Sequence, residues 1–152
     1  MRDKPFDAAP VLASLKAFQR NTVEHVFERL YGAQAVSRFL VADEVGLGKT
    51  LVARGVIAKV LEHLQRRGKP RVDVLYICSN AAIATQNIRR LRMGGASEFS
   101  LATRLTYLPR QVHSLREKRV NFISLTPQTT FEHTRSRGGH MEERAILYRL
   151  LH

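Results

Sequence analysis

FLVADEVGLGKTLVARGVIAK, residues 39–59, passes from an apolar run through two acids into a glycine-rich turn, then into a lysine and a threonine that open a helical pattern. Arg38–Ala42 reads as a short buried strand. Gly46 and Gly48 permit positive φ and let backbone N–H groups approach a ligand without side-chain interference. The helix that follows adds unpaired N–H donors and the positive end of its dipole. Lys49 can reach the β- and γ-phosphates of a nucleotide as a point charge, and the Thr50 hydroxyl can ligate Mg²⁺. The nucleotide-binding loop therefore comprises Val45, Gly46, Leu47, Gly48, Lys49 and Thr50. Lys49 is the catalytic candidate, Thr50 the metal ligand, and a nucleoside triphosphate with Mg²⁺ the expected ligand. The general phosphate-loop pattern G-x-x-x-x-G-K-[ST] asks for glycine at position 43, where this chain has Asp43. A fortuitous glycine-rich turn is the plain alternative, and the order strand, glycine turn, amphipathic helix argues against it.

The chain has 152 residues and a hydrophobic fraction of 44%, which suits one soluble globular domain. A chain of roughly 150 residues buries about 70% of its unfolded surface. No apolar run approaches the roughly 20 residues of a membrane span, and the amino-terminal stretch lacks the apolar core of a signal peptide. Cys78, the one cysteine, lies in the strand-like LYICS and reads as a buried inert thiol. These features fit a cytoplasmic protein with no membrane partner.

Charge is the unusual quantity: 25 Lys and Arg against 13 Asp and Glu, net +12. Residues 81–140 carry ten basic and three acidic side chains, and residues 1–80 carry thirteen and eight. Such an excess favours a polyanion, DNA or RNA, held through phosphate contacts. A solvated basic surface kept for solubility is the other reading of the same number.

Along the chain, residues 1–12 read as a flexible arm. Leu15, Phe18, Val23, Phe27 and Leu30 fall at helical spacing, with Gly32 as the stop. Leu51, Val52, Val56, Ile57, Val60, Leu61 and Leu64 trace a helix that RRGKP ends. Arg71–Ser79 predicts a strand, NAAIATQNIRRLRM a helix capped by Ser79 or Asn80. Thr103–Leu108 predicts a weaker strand closed by Pro109, Arg119–Leu125 a stronger one, and EERAILYRLL a final helix. Strands alternating with helices predict the α/β class: a mainly parallel sheet in three layers, helices on both faces. The six histidines share no ligand spacing with one another or with Cys78, so no zinc site is expected.

LVADEVGLGKTLVA resembles motif I of superfamily 2 helicases, most closely the Swi/Snf-like translocases and their bacterial relatives, in which the loop reads D-E-x-G-L-G-K-T and Asp43 is ordinary. Upstream, LKAFQRNTVEHVF resembles the family's L-[RK]-x-[FY]-Q segment, whose glutamine reads adenine. The resemblance assigns that role to Gln19, which an amide can perform by pairing with the N6/N7 edge. Downstream, VLYICSNAAIATQNIRRL and NFISLTPQTTF stand where the family carries motifs Ia and Ib, which touch the backbone of nucleic acid. The resemblance offers Ser79, Asn80, Thr126 and Thr129 as donors there, and each is equally a cap or turn residue. It implies a partial RecA-like ATP-binding lobe over residues 13–152.

The family hydrolyses ATP with a second acidic motif, D-E-x-H or similar, after an apolar strand. Asp43-Glu44 is the one adjacent Asp-Glu pair, and it lies in the loop itself. Glu142-Glu143 opens a helix without a preceding strand. The expectation is thus the ATP-binding front part of a larger nucleic-acid-dependent motor, not catalytically competent alone. For a split gene product the partner would be the remainder of the helicase. The competing expectation is a non-catalytic nucleic-acid-binding module with a vestigial loop. A P-loop ATPase outside the helicases is disfavoured because those families do not pair L-K-x-F-Q with D-E-x-G-L-G-K-T.

Overall fold

A computed structural model of the chain describes residues 6–44, 46–69, 71–93, 99–102, 108–126 and 141–151. The chain divides into two compact units, Met1–Pro70 with Arg90–Met93, and Arg71–Arg89 with Gly94–His152.

The first unit is helical. α1 (Ala9–Ala13) begins with Pro10 in its first turn and buries Val11, so the stretch expected as a flexible arm contains a short packed helix. α2 (Ala17–Tyr31) buries Gln19, Val23 and Val26 on one face. It stops at Gly32, whose N–H donates to the Glu28 carbonyl at 2.8 Å, as the glycine predicts. α3 (Lys49–Arg66) buries Val52, Gly55, Ala58 and Leu61 at the helical period. Leu15, Val23 and Val52 form the core between these helices, flanked by Leu12 and Val56. A Cβ on Gly55 would lie 2.7 Å from Val23 Cγ2 and 3.0 Å from Leu15 Cδ1, so this glycine sets how closely α3 approaches α2. A second contact joins the same helices. Phe27 stacks on Tyr31 at 5.3 Å, His63 meets both rings edge-on, and Lys59 pairs with Glu24 while lying 4.6 Å over the Phe27 ring.

Arg38–Ala42 departs from the expected buried strand. It joins no strand ladder among the described residues, Leu40 is 83% exposed and Phe39 38%. An apolar run becomes a buried strand only when a neighbour satisfies its backbone groups. Here Phe39 instead meets His25 edge-to-face at 5.5 Å.

The second unit carries β1 (Val72–Ile77), α4 (Ala81–Leu91) up to Arg89, β2 (Phe99–Ala102), α5 (Leu108–Glu117), β3 (Val120–Leu125) and α6 (Met141–Leu151). Its three strands pair in parallel in the order β1-β3-β2, with Val72 and Phe99 both in register with Val120. The class is mixed α/β with helices packed on a parallel sheet. β3, the central strand, buries Val120, Asn121, Phe122 and Ser124 from both faces. β1 alternates instead, with Val72 buried and Asp73, Leu75 and Ile77 exposed.

The weaker expected strand, Thr103–Leu108, lies outside the described residues except for its last position. Pairing occurs at Phe99–Ala102, and Leu108, its predicted end, opens α5 with Pro109 as the second helical residue. Proline suits that place because a first-turn N–H has no intrahelical partner to lose.

Asn121 ties the sheet to α5. Its Nδ2 donates to Asp73 Oδ1 at 2.7 Å on the neighbouring strand and to the Leu115 carbonyl at 2.9 Å. Two acceptors facing one amine fix the orientation of the amide, and Asp73 in turn pairs with Arg71 at 3.1 Å. Asn121→Ala removes a fully buried amide and leaves the part-buried Leu115 carbonyl without this donor, and is expected to cost about 1–3 kcal/mol. In urea the unfolding midpoint should fall by about 1 M; an unchanged midpoint would deny Asn121 this role.

Candidate phosphate-binding site

The loop before α3 is shaped by its glycines. Gly46 has φ 93° and Gly48 has φ 84°, while no described non-glycine residue has positive φ. Gly48 is the N-cap of α3, and its carbonyl accepts the Leu51 N–H at 2.8 Å and the Val52 N–H at 3.1 Å. No side chain caps this 18-residue helix and no acid lies in its first turn. Its leading N–H groups and the positive end of its dipole are therefore not neutralised locally, the condition under which a helix start receives an anion.

Lys49 is exposed, and its ammonium donates to the Asp43 carbonyl at 2.7 Å and the Glu44 carbonyl at 2.9 Å. The side chain thus folds back over the entrance of the loop, holding two neutral acceptors that phosphate oxygens would replace with stronger, anionic ones. Thr50, half-buried, follows it on the first turn of α3. Mg²⁺ prefers near-octahedral oxygen ligation and keeps several waters, so one Thr50 hydroxyl plus nucleotide phosphates fits its chemistry. Among the described residues no three His, Cys, Asp or Glu side chains gather to hold a metal by themselves.

Gln19 reaches the loop from α2. It is 4% exposed. Its Oε1 accepts the Lys16 N–H at 3.0 Å and its Nε2 donates to the Leu47 carbonyl at 3.1 Å. The first bond is half of a capping box, in which a Gln at the third helical position reaches back to the N-cap. With the helix starting at Ala17 rather than Leu15, Gln19 holds that position. That offset of two residues hid this signal in the sequence.

Gln19, Gly46, Leu47, Gly48, Lys49 and Thr50 are thus gathered in the first unit; Val45 lies outside the described residues. Ser79, Asn80 and Thr126 belong to the second unit. β1 and β3 run in parallel and the Cys78 N–H donates to the Leu125 carbonyl at 3.1 Å, so these residues follow the carboxyl ends of neighbouring strands. Ser79 is exposed. Asn80 takes the capping alternative: its Oδ1 accepts from the Ala82 N–H at 2.9 Å and the Ile83 N–H at 3.1 Å. Thr126 is 1% exposed. Thr129 lies outside the described residues. Cys78, expected buried, is half-buried.

Comparison with protein families, with curated proteins and with solved structures finds no match to this chain. Among the described residues no helix is long and apolar enough to cross a membrane.

Proposed function

We propose that this chain is the ATP-binding front part of a RecA-like lobe from a nucleic-acid-dependent helicase or translocase of superfamily 2. One observation carries the reading: a loop with two positive-φ glycines delivers Lys49 and Thr50 to the uncapped start of a long helix. Backbone N–H groups and Lys49 hold the β- and γ-phosphates, and Thr50 supplies one ligand to the Mg²⁺ bound with them. The parallel sheet, with β3 covered on both faces, is compatible with such a three-layer lobe. The resemblance of DEVGLGKT to the family's motif I supplies the choice of ATP and of nucleic acid. Titration of a fluorescent ATP analogue with Mg²⁺ tests the site; no saturable binding at millimolar nucleotide removes it.

The net charge of +12 also favours a second reading, a nucleic-acid-binding module whose loop is vestigial. Both readings predict an electrostatic affinity for DNA or RNA. Its logarithm should fall with log salt by about 0.7–0.9 per phosphate contacted. Four contacts would weaken binding roughly 50- to 150-fold between about 50 and 200 mM salt. Filter binding across that range checks it, and a flat dependence assigns the charge to solubility. Nucleotide binding then separates the two readings.

A further inference from the structure

We infer that Gln19 is a positioning residue that holds the phosphate loop in its binding geometry, and that it does not read the base. The inference rests on the nucleotide-binding reading and changes what one of its residues does.

A glutamine amide has two N–H donors and an oxygen with two acceptor sites. A base reader must present a donor and an acceptor side by side to the ligand. Gln19 has already committed one of each: its oxygen to the Lys16 N–H and its nitrogen to the Leu47 carbonyl. At 4% exposure it has almost no surface left for a purine edge. Turning toward a base would uncap α2 and release the loop together.

The bond to Leu47 has a directional consequence. In a trans peptide the carbonyl and the following N–H point in opposite directions across one plane. Holding the Leu47 carbonyl toward Gln19 therefore aims the Gly48 N–H away from Gln19. That N–H makes no hydrogen bond to any described residue. The held peptide lies between the two glycines with positive φ, Gly46 and Gly48, where the backbone is least constrained by its own side chains. Gly48 also lets the amide sit against the loop, since a Cβ there would be 2.6 Å from Gln19 Nε2. Gln19 thus orients a donor for the triphosphate without touching the nucleotide.

The test compares wild type with Gln19→Leu, which keeps the side-chain bulk, and Gln19→Ala. Calorimetric titrations use ATP, GTP and inorganic tripolyphosphate, each with Mg²⁺. Hydrogen exchange of the Leu51 and Val52 amides, which are bonded to the loop's Gly48 carbonyl, is followed without ligand. Both variants are expected to lose about five- to tenfold in affinity for all three ligands, with the ATP-to-GTP ratio unchanged. The Leu51 and Val52 amides should exchange faster while the rest of α3 keeps its protection, which a general loss of stability would not produce. A loss confined to ATP, with tripolyphosphate unaffected, makes Gln19 a base reader and overturns the inference. Unchanged exchange at Leu51 and Val52 overturns it as well. Absence of wild-type binding to all three ligands defeats the nucleotide reading, while the exchange experiment still decides whether Gln19 holds the loop.

Discussion

The purified 152-residue chain is expected to bind ATP with Mg²⁺ and yet release phosphate no faster than buffer, with or without DNA or RNA. A phosphate loop supplies ground-state binding, and binding that is equal in ground and transition states adds nothing to the chemical step. Phosphoryl transfer to water needs an acid on Mg²⁺, a group that positions the water, and an arginine against the γ-phosphate. Asp43 and Glu44 are the acids beside the loop, and their backbone carbonyls are the atoms that Lys49 engages. Glu142 and Glu143 fall in the first turn of α6. Arg135 and Arg137 lie outside the described residues. Loss of such transition-state groups costs factors on the order of 10³ or more. A coupled phosphate-release assay over hours checks this. Lys49-dependent hydrolysis stimulated by nucleic acid would overturn it and direct attention to Glu44 or Glu142.

What the sequence made legible was local. Gly46, Gly48 and Lys49 shape the loop through their own φ preferences and charge, and α3 follows from its apolar period, so that region could be read without knowing its neighbours. The same holds for Gly32 ending α2, and for Asn80, whose short amide caps α4. Strand pairing is not local. Arg38–Ala42 and Arg71–Ser79 are similar apolar runs, yet among the described residues only the second finds a ladder, through the register of Val72 with Val120. Phe99–Ala102, which the apolar pattern did not single out, pairs with β3 through the register of Phe99 with Val120. Side-chain burial is equally non-local: Thr126 follows the end of β3 as its position implies, and packing buries it. The adenine-reading role for Gln19 came from resemblance, whereas its bonds to Lys16 and Leu47 depend on where α2 starts and how α3 packs beside it.

Lys49→Ala is expected to weaken ATP binding by about 10- to 150-fold, the equivalent of roughly 1.5–3 kcal/mol for a hydrogen bond to a charged group. Exposure of Lys49 places the effect toward the lower end, because solvent screens the contact. The ammonium has three N–H donors, two of which hold the Asp43 and Glu44 carbonyls. Nucleotide binding therefore exchanges carbonyl partners for phosphate oxygens, and the gain is the difference between neutral and anionic acceptors. The mutation also releases the entrance of the loop, so loss of affinity alone does not identify the phosphate contact. Comparing nucleotides does. If Lys49 meets the β- and γ-phosphates, the loss should be large for ATP and small for AMP, which has neither. An equal loss for both would mean that the lysine only shapes the loop. Equal ATP affinity in wild type and variant would remove Lys49 from the site, leaving the glycine turn without its cation and the nucleotide reading without its main electrostatic support.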